Sequence, residues 1–196
     1  MRIFLIRHGE STSDVEGRYG GHYDDHLTAR GSRQAAKLAK ELSGKGIEVI
    51  FSSPFHRAKE TSGILAKEWK CPVKISEGIK ERDRYAHLTG MKKSHAAKRH
   101  AHHVARLKNY QDSVEGGEDY EPFRKRIVGI FNELASLPHN VIAIVCHGGP
   151  IGCILRELLG KETKYIGKCA YFELQKENGK LKLIKAGNAE LKKSGK

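Results

Sequence analysis

The chain opens with Met1-Arg2-Ile3-Phe4-Leu5-Ile6-Arg7-His8-Gly9-Glu10, a short apolar run that ends in charged and polar residues. A run of this length, rich in residues that favour β-structure, is typical of a buried strand. Two later runs, Ile47–Phe51 and Val141–Cys146, have the same character. The sequence therefore predicts three buried strands, of which the first and the third each end in a histidine followed by a glycine.

Helical patterns lie between and after these strands, with capping residues at several of their ends. They predict four helices: Thr28–Leu42, one that opens at Ser53-Pro54 and extends toward Trp69, Pro122–Leu137, and one that follows Gly148-Gly149-Pro150 and ends at Leu159. Near the end of the chain, Asn178-Gly179 between two short apolar stretches indicates a β-hairpin. Alternating strands and helices predict an α/β fold. We expect a three-layer sandwich with a mostly parallel sheet, helices on both faces and one hairpin edge.

Length and composition are those of one globular domain. The chain has 196 residues, of which 38% are apolar and 30% are charged, and a chain of this size can bury a core without disulfides. Its four cysteines form no C-x-x-C pair, so neither a disulfide framework nor a zinc ribbon is indicated. The apolar runs are too short for a signal peptide or a membrane span. We therefore expect a single cytoplasmic domain over residues 1–196 that has no membrane partner.

The net charge of +13 is concentrated in two segments, since residues 82–108 carry +7, residues 161–196 carry +6 and the rest of the chain is neutral. The stretch 84–117 fits the alternation of strands and helices poorly. We interpret it as a basic insertion with a helix over Lys92–Tyr110, and we expect a frayed tail after residue 188. A basic nucleic-acid-binding protein is the alternative from a different class. Aromatic residues are not interleaved with the cations, so we expect no nucleic-acid partner.

Three of the predicted strand ends carry residues suited to one binding site. In open parallel sheets, ligands bind at the carboxyl ends of the strands, where His8 and His147 lie, and the glycine after each histidine lets the backbone approach a ligand closely. Arg57 lies on the first turn of the helix after the second strand, so a guanidinium and free N–H groups point at the same crevice. With Arg7, this makes a cationic site that suits a dianionic phosphoryl group.

The motifs of the chain, taken in order, resemble those of the histidine phosphatase superfamily, which includes cofactor-dependent phosphoglycerate mutase and fructose-2,6-bisphosphatase. The resemblance covers most of the chain and fails mainly over residues 84–114. The motifs that carry it are Arg7-His8-Gly9-Glu10-Ser11, Arg18-Tyr19-Gly20-Gly21, Leu27-Thr28-x-x-Gly31, Ser52-Ser53-x-x-x-Arg57-Ala58-x-x-Thr61, Glu81-Arg82, Gly116-Gly117-Glu118 and His147-Gly148-Gly149. The resemblance implies a phosphoglycerate mutase-like fold.

The resemblance also implies roles for the matching residues. His8 would be the nucleophile that becomes a phosphohistidine, which a neutral imidazole can do when a backbone carbonyl holds its other nitrogen. Glu81 would donate a proton to the leaving oxygen, with Asp83 as an alternative acid; Glu81 as a surface salt-bridge partner of Arg82 or Arg84 is the alternative without catalysis. The remaining implied roles are catalysis and phosphoryl binding by His147, phosphate binding by Arg7, Arg57 and Gly148, and substrate binding by Ser11, Gly20, Gly21 and Arg82.

Two positions depart from the family pattern. Asp14 stands where an asparagine is common, and a carboxylate there would repel phosphate unless it is protonated or turned toward Arg18, so we leave Asp14 out of the site. Gly20 replaces a polar residue and leaves only backbone N–H groups to bind a ligand.

A mutase must retain the phosphoryl group and exclude water, and the tyrosine and paired arginines with which the family's mutases do so are not recognisable here. Tyr85 and Lys92-Lys93 or Lys98-Arg99 are only loose counterparts. We therefore predict a histidine phosphatase that hydrolyses phosphomonoesters, with a 2,3-bisphosphoglycerate-dependent phosphoglycerate mutase as the alternative. The basic insertion would be a lid that binds the rest of a small acidic substrate; a solvated helix face is its other interpretation.

The predicted chemistry requires no metal and no organic cofactor, although a mutase would need a bisphosphorylated primer. His100-x-His102-His103 lacks the i, i+4 histidine pair of a zinc-binding helix and has no acidic residue beside it. We therefore predict no metal site there. No exposed apolar stripe marks an interface, so the sequence makes no prediction about the oligomeric state.

Overall fold

A computed structural model of the chain describes residues 1–192 and contains one six-stranded sheet. The strands are β1 Arg2–Arg7, β2 Val49–Ser52, β3 Val73–Ile75, β4 Val141–Cys146, β5 Thr163–Glu177 and β6 Lys180–Leu191. The helices are α1 Thr12–Val15, α2 Ala29–Glu41, α3 His56–Trp69, α4 Lys93–Arg99, α5 Ala101–Arg106, α6 Tyr120–Leu134 and α7 Gly148–Leu159. Two 3-10 turns cover Glu77–Ile79 and Ala86–Leu88.

The strand order of the sheet is β3-β2-β4-β1-β5-β6. The first four strands in this order are parallel, β5 pairs antiparallel with β1, and β6 pairs antiparallel with β5. Strand β4 lies between β1 and β2, and its register pairs Arg7 with Cys146. The residues that follow these two strands therefore emerge side by side. The predicted α/β fold with a mostly parallel sheet is confirmed.

Side chains alternate across β1 and divide the core between the two faces of the sheet, as the pleat of a strand requires. Phe4 and Ile6 pack with α2 and α3 on one face. Ile3 and Leu5 pack with α6 and α7 on the other. Helices cover both faces, which confirms the three predicted layers. Within residues 1–192, no helix has the length and apolarity that a membrane crossing requires.

The start of α2 is positioned by a close backbone contact. The Thr28 hydroxyl accepts a hydrogen bond from the Gly31 N–H at 2.9 Å, which caps the helix as predicted. A Cβ atom on Gly31 would lie 2.0 Å from the carbonyl oxygen of Glu10. Only glycine permits this approach, which holds the helix against the loop after β1.

Helix α3 begins later than the sequence predicts. Its first residue is His56 and its N-cap is Phe55, whereas the sequence predicts a start at Ser53-Pro54. The Ser53 N–H continues the sheet by donating to the Val145 carbonyl at 2.9 Å. Its hydroxyl lies 2.7 Å from Nε2 of His147. Both polar groups of Ser53 are thus engaged elsewhere and do not cap the helix.

Three further boundaries differ from the prediction, and the first is that of β2, which covers Val49–Ser52 and not Ile47–Phe51. Helix α6 covers Tyr120–Leu134 and not Pro122–Leu137. The tail that we expected to fray after residue 188 remains in β6 as far as Leu191, which pairs with Thr163 of β5. Strand pairing with β5 satisfies the backbone of this segment. The rest of the predicted tail, residues 193–196, lies outside the described residues.

The basic insertion contains two short helices in place of the single long helix that the sequence predicts. The sequence predicts one helix over Lys92–Tyr110, but α4 ends at Arg99 and α5 starts at Ala101, with His100 between them outside the helical conformation. A run of like charges without acidic partners disfavours a long helix. The insertion has its own small apolar cluster, in which Leu88, Ala96 and Val114 are fully buried.

Candidate active site

A cavity of about 330 Å³ opens at the carboxyl ends of β1 and β4. Its wall carries eight basic and two acidic side chains, so a bound anion would be strongly favoured there. The wall contains all the predicted site residues except His147; they are Arg7, His8, Ser11, Gly20, Gly21, Arg57, Glu81, Arg82 and Gly148. The structure therefore collects residues from five separate motifs around one space.

The His8 ring is held in a defined orientation. Its Nδ1 atom lies 2.7 Å from the carbonyl oxygen of Gly9, so Nδ1 carries the proton and Nε2 keeps its lone pair. Burial, then the electrostatic coupling to the neighbouring His147 ring and the charge of Arg57, holds the pKa of His8 well below its usual value. The ring is therefore neutral near pH 7, and Nε2 is available as a nucleophile.

His147 lies behind His8 and not in the cavity wall. The two ring centroids are 5.1 Å apart, and His147 is fully buried. Its Nε2 contacts the Ser53 hydroxyl, whereas its buried Nδ1 has no hydrogen-bond partner among the described residues. Burial, then the charges of Arg57 and Arg7, lowers the pKa of His147 well below its usual value. The two imidazoles are therefore neighbours, but only His8 lines the cavity.

Two arginines flank the histidines and are held by backbone carbonyls. Arg7 donates to the Ile166 carbonyl at 2.5 Å, and its buried Nε atom has no partner within residues 1–192. Arg57 donates to the Gly21 carbonyl at 2.9 Å and to Oδ1 of Asp25 at 2.9 Å. Both guanidiniums are thus fixed before a ligand arrives, which is the arrangement that phosphoryl transfer requires.

Removal of the Asp25 carboxylate is expected to destabilise the fold. The side chains of Arg57 and Asp25 are only 3% and 1% exposed, and Asp25 also accepts from the Ser13 N–H at 2.7 Å. Asp25→Ala would leave the Arg57 charge buried without its partner, which costs about 3–5 kcal/mol of unfolding free energy. Urea denaturation measures this loss.

The exposed Arg18–Glu16 pair is the control for that measurement. Glu16→Ala should change the unfolding free energy by no more than about 1 kcal/mol, because water already solvates both groups. Equal effects of the two substitutions would contradict the assignment of Asp25 as the buried counter-ion.

Glu81 reaches the cavity between two backbone N–H groups. Its Oε1 accepts from the Arg82 N–H at 2.8 Å and its Oε2 accepts from the Gly149 N–H at 3.2 Å. A Cβ atom on Gly149 would lie 2.2 Å from Oε1, so glycine is required for the carboxyl to occupy this position. Asp83, the alternative acid, does not line the cavity and pairs with Thr89 at 3.3 Å. The geometry favours Glu81.

Arg82 is placed differently from the predicted substrate contact. Its guanidinium donates to the carbonyls of Glu118 and Gln111, both at 2.9 Å, and to that of Tyr110. Each nitrogen of the guanidinium already has a backbone partner. Although Arg82 borders the cavity, it ties the insertion to the body of the domain.

The three remaining substrate-binding candidates line the cavity near Arg57. The Ser11 hydroxyl donates to Oδ2 of Asp14 at 3.0 Å. Gly21 has a positive φ of 50°, and its carbonyl faces Arg57. Gly20 contributes backbone alone, as predicted.

Asp14 pairs with Lys168 and not with Arg18, the partner that the sequence suggested. The distance from Lys168 Nζ to Asp14 Oδ1 is 2.5 Å. Burial tends to raise the pKa of Asp14, but the charge and hydrogen bond of Lys168 outweigh it and lower the pKa. The partly buried ammonium group of Lys168 thus neutralises the Asp14 carboxylate at the cavity wall. Sequence reasoning missed Lys168, which lies on β5, 154 residues after Asp14 in the chain.

Phosphate binding is expected to weaken as the pH rises through about 8. Burial, and then the charge of Arg7, lowers the pKa of Lys168 to about 8. Above this value Lys168 is neutral, so the cavity loses one positive charge and Asp14 loses its counter-charge. Because a charge-assisted hydrogen bond is worth ~1.5–3 kcal/mol, inhibition by inorganic phosphate should weaken about tenfold. Lys168→Met should bind phosphate weakly at both pH values; a variant with the wild-type pH profile would contradict this assignment.

Arg156 is the second residue that sequence reasoning missed. It lies on α7 at the far end of the cavity, with its Cζ atom 3.8 Å from the centre of the Tyr110 ring. One guanidinium nitrogen contacts the Tyr120 hydroxyl at 3.2 Å, and the buried Nε atom has no partner in the described part of the chain. Gly149, Gly152 and Arg156 share one face of α7, since their spacing is i, i+3 and i+7. That spacing was visible in the sequence.

Comparison with known proteins agrees with this geometry. The family model described as "Histidine phosphatase superfamily (branch 1)" matches residues 3–188. The chain is 28% identical over 166 residues to the adenosylcobalamin/alpha-ribazole phosphatase of Escherichia coli K12, covering 82% of this chain and 80% of that protein. It is 30% identical over 166 residues to a protein named "Probable phosphoglycerate mutase GpmB" from Proteus mirabilis, covering 82% and 75%.

Solved structures show the same fold. A mycobacterial glucosyl-3-phosphoglycerate phosphatase in complex with VO3 superposes with a TM-score of 0.80 at 21% identity, covering 93% of this chain and 96% of that chain. The YhfR protein of Bacillus stearothermophilus superposes with a TM-score of 0.85 at 19% identity, covering 93% and 94%.

Proposed function

The chain belongs to the histidine phosphatase superfamily, and we propose that it hydrolyses phosphomonoesters in two steps through a phosphohistidine on His8. The observation that carries this proposal is the orientation of His8. Its Nδ1 is engaged by the Gly9 carbonyl, its ring is neutral and buried against His147, and it lines a cavity rich in guanidinium groups.

In the first step, Nε2 of His8 attacks phosphorus while the ester P–O bond breaks. The leaving oxygen takes a proton from the Glu81 carboxyl group and departs as the alcohol. In the second step, water attacks the phosphohistidine, Glu81 accepts a proton from that water, and the N–P bond breaks to release inorganic phosphate. Arg7 and Arg57 stabilise the charge on the phosphoryl oxygens in both steps, and the N–H of Gly148 at the start of α7 assists them.

The product distinguishes this function from a mutase, the second candidate that the relative from Proteus mirabilis supports. The test is incubation with a panel of phosphomonoesters and with 3-phosphoglycerate, with and without a 2,3-bisphosphoglycerate primer. Release of free phosphate from several esters is the expected result. Formation of 2-phosphoglycerate without net phosphate release would establish mutase activity. If no ester reacts, both the phosphatase and the mutase function are excluded.

The substrate class follows from the far end of the cavity. Arg84 and Arg156 each have a buried Nε atom without a partner among residues 1–192, and both border the cavity. Of the four basic residues that the sequence assigned to a lid, only Lys93 does so. We therefore infer a small substrate whose alcohol portion carries a second anionic group, bound by Arg84 and Arg156.

Loss of Arg156 should discriminate between substrates. For a phosphomonoester with a carboxylate, such as 3-phosphoglycerate, Arg156→Ala should lower kcat/KM about 10–100-fold, because a charged hydrogen bond is worth ~1.5–3 kcal/mol. For glycerol 3-phosphate, whose remainder is neutral, kcat/KM should change little. Arg124→Ala is the matched control, since Arg124 is an exposed arginine that pairs with Glu121 outside the cavity. Equal losses on both substrates would contradict the second anion site.

We propose one domain over residues 1–196 in which segment 84–117 is the insertion that closes one side of the cavity. Four residues of this segment support that role by lining the cavity: Arg84, Tyr85, Lys93 and Tyr110. A cytoplasmic location is supported by the four cysteines, all of which are free, as expected in a reducing compartment. Nucleic acid is not a proposed partner, because aromatic residues are not interleaved with the cations of the two basic segments.

A further inference from the structure

Three histidines of the insertion converge outside the active-site cavity. His87 lies in the 3-10 turn Ala86–Leu88, His100 lies between α4 and α5, and His103 lies in α5. None of the three lines the cavity. We refer to them as the histidine triad. The mechanism proposed above does not use them.

The geometry of the triad is that of a ligand set. One ring nitrogen from each histidine can be chosen so that all three lie within 4.8 Å of one another. The ring centroid of His87 is 5.2 Å from that of His100 and 4.6 Å from that of His103. Each ring needs to move inward by less than ~1 Å to reach the Zn–N distance of ~2.0–2.1 Å.

One ring nitrogen of the triad lacks a hydrogen-bond partner within the described residues. The atom is the buried Nδ1 of His103, whereas a buried polar atom normally has a partner. A bound cation would satisfy an imidazole nitrogen that the protein leaves free.

We propose that His87, His100 and His103 bind a divalent transition metal, with zinc as the representative ion. Neutral imidazoles suit Zn²⁺, Ni²⁺ and Cu²⁺, whereas Mg²⁺ and Ca²⁺ prefer oxygen ligands. Three protein ligands leave one position of a tetrahedral ion for water. The metal would join the turn at His87 to α5 and so hold the insertion, whose residues Arg84 and Tyr85 border the cavity, in one conformation.

The test is zinc titration of the untagged full-length protein by calorimetry, with zinc X-ray absorption to count the imidazole ligands. We expect one equivalent of zinc bound through three imidazoles. His87→Asn should weaken binding by at least about 100-fold, because even the loss of a residue outside the ligand set costs 10–100-fold. Addition of zinc should raise the Tm of the wild type and leave that of His87→Asn unchanged.

His95→Asn is the matched control, because His95 lies in the same insertion, on α4, but outside the triad. It should bind zinc like the wild type. The proposal is overturned if the wild type binds no zinc at millimolar concentration, or if His87→Asn binds it as tightly as the wild type does. It is also overturned if absorption shows fewer than three imidazoles. Circular dichroism of each variant establishes that it is folded.

Discussion

His8→Ala is expected to lower kcat for every phosphomonoester by about 10⁴–10⁶-fold, the scale that follows removal of a covalent nucleophile. The substitution removes the only atom that forms the N–P bond in the proposed first step. Arg7, Arg57 and the α7 N-terminus would remain, so substrate should still bind. A steady-state assay with p-nitrophenyl phosphate measures the loss, and rapid acid-free quenching followed by mass spectrometry measures the phosphoryl group on the wild-type chain.

His139→Ala is the control for His8→Ala, because His139 is paired with Glu48 away from the cavity. This variant should keep wild-type activity and become phosphorylated. A folded His8→Ala protein that retains more than about 1% of the wild-type kcat, or that still gains a phosphoryl group, would contradict nucleophilic catalysis by His8.

Glu81→Gln is expected to lower kcat/KM for alkyl phosphates by about 10²–10⁴-fold, the usual contribution of a general acid. An alkoxide leaves poorly without a proton, and glutamine cannot supply one. p-Nitrophenolate leaves readily as the anion, so kcat/KM for its phosphate should fall by no more than about tenfold. Because kcat/KM reports the steps up to the first irreversible one, this contrast isolates the proton donated to the leaving group. Initial-rate measurements on the two substrates test it.

Asp83→Asn is the matched control, since Asp83 is a carboxylate two residues away that does not line the cavity. Its kcat/KM values should remain close to those of the wild type on both substrates. If Asp83→Asn shows the leaving-group dependence and Glu81→Gln does not, the acid has been assigned to the wrong residue. Equal losses of Glu81→Gln on both substrates would indicate a positioning role for Glu81.

The strands and helices of the sandwich were predictable because they depend on local patterns of apolar residues. Strand β4 has the predicted bounds Val141–Cys146, and α2 is capped by Thr28 as expected. Prediction was wrong where a tertiary contact competes with a local one. Ser53 has the composition of a helix cap, but its backbone joins the sheet and its hydroxyl contacts His147.

The candidate site was predictable to the extent that its residues lie next to strand ends. Parallel pairing of β1 with β4 turns two separate histidine-glycine motifs into neighbours, and the order of the motifs pointed to a phosphoryl group. Lys168, the partner of Asp14, was not predictable as a site residue, because β5 meets β1 through a long-range antiparallel pairing. The contacts of Arg82 with the Tyr110 and Gln111 carbonyls, and of Arg156 with the Tyr110 ring, depend in the same way on where the insertion lies.

The order of motifs along the chain was therefore sufficient for the α/β architecture, for the family and for a cationic site around His8, because strand ends and helix starts are local features. The folded chain alone decided which charges neutralise one another, which histidines lie together and where the cavity ends. Contacts of this kind join residues far apart in sequence, such as Asp14 with Lys168 and His87 with His103. Their energies depend on distances and burial that no local pattern contains.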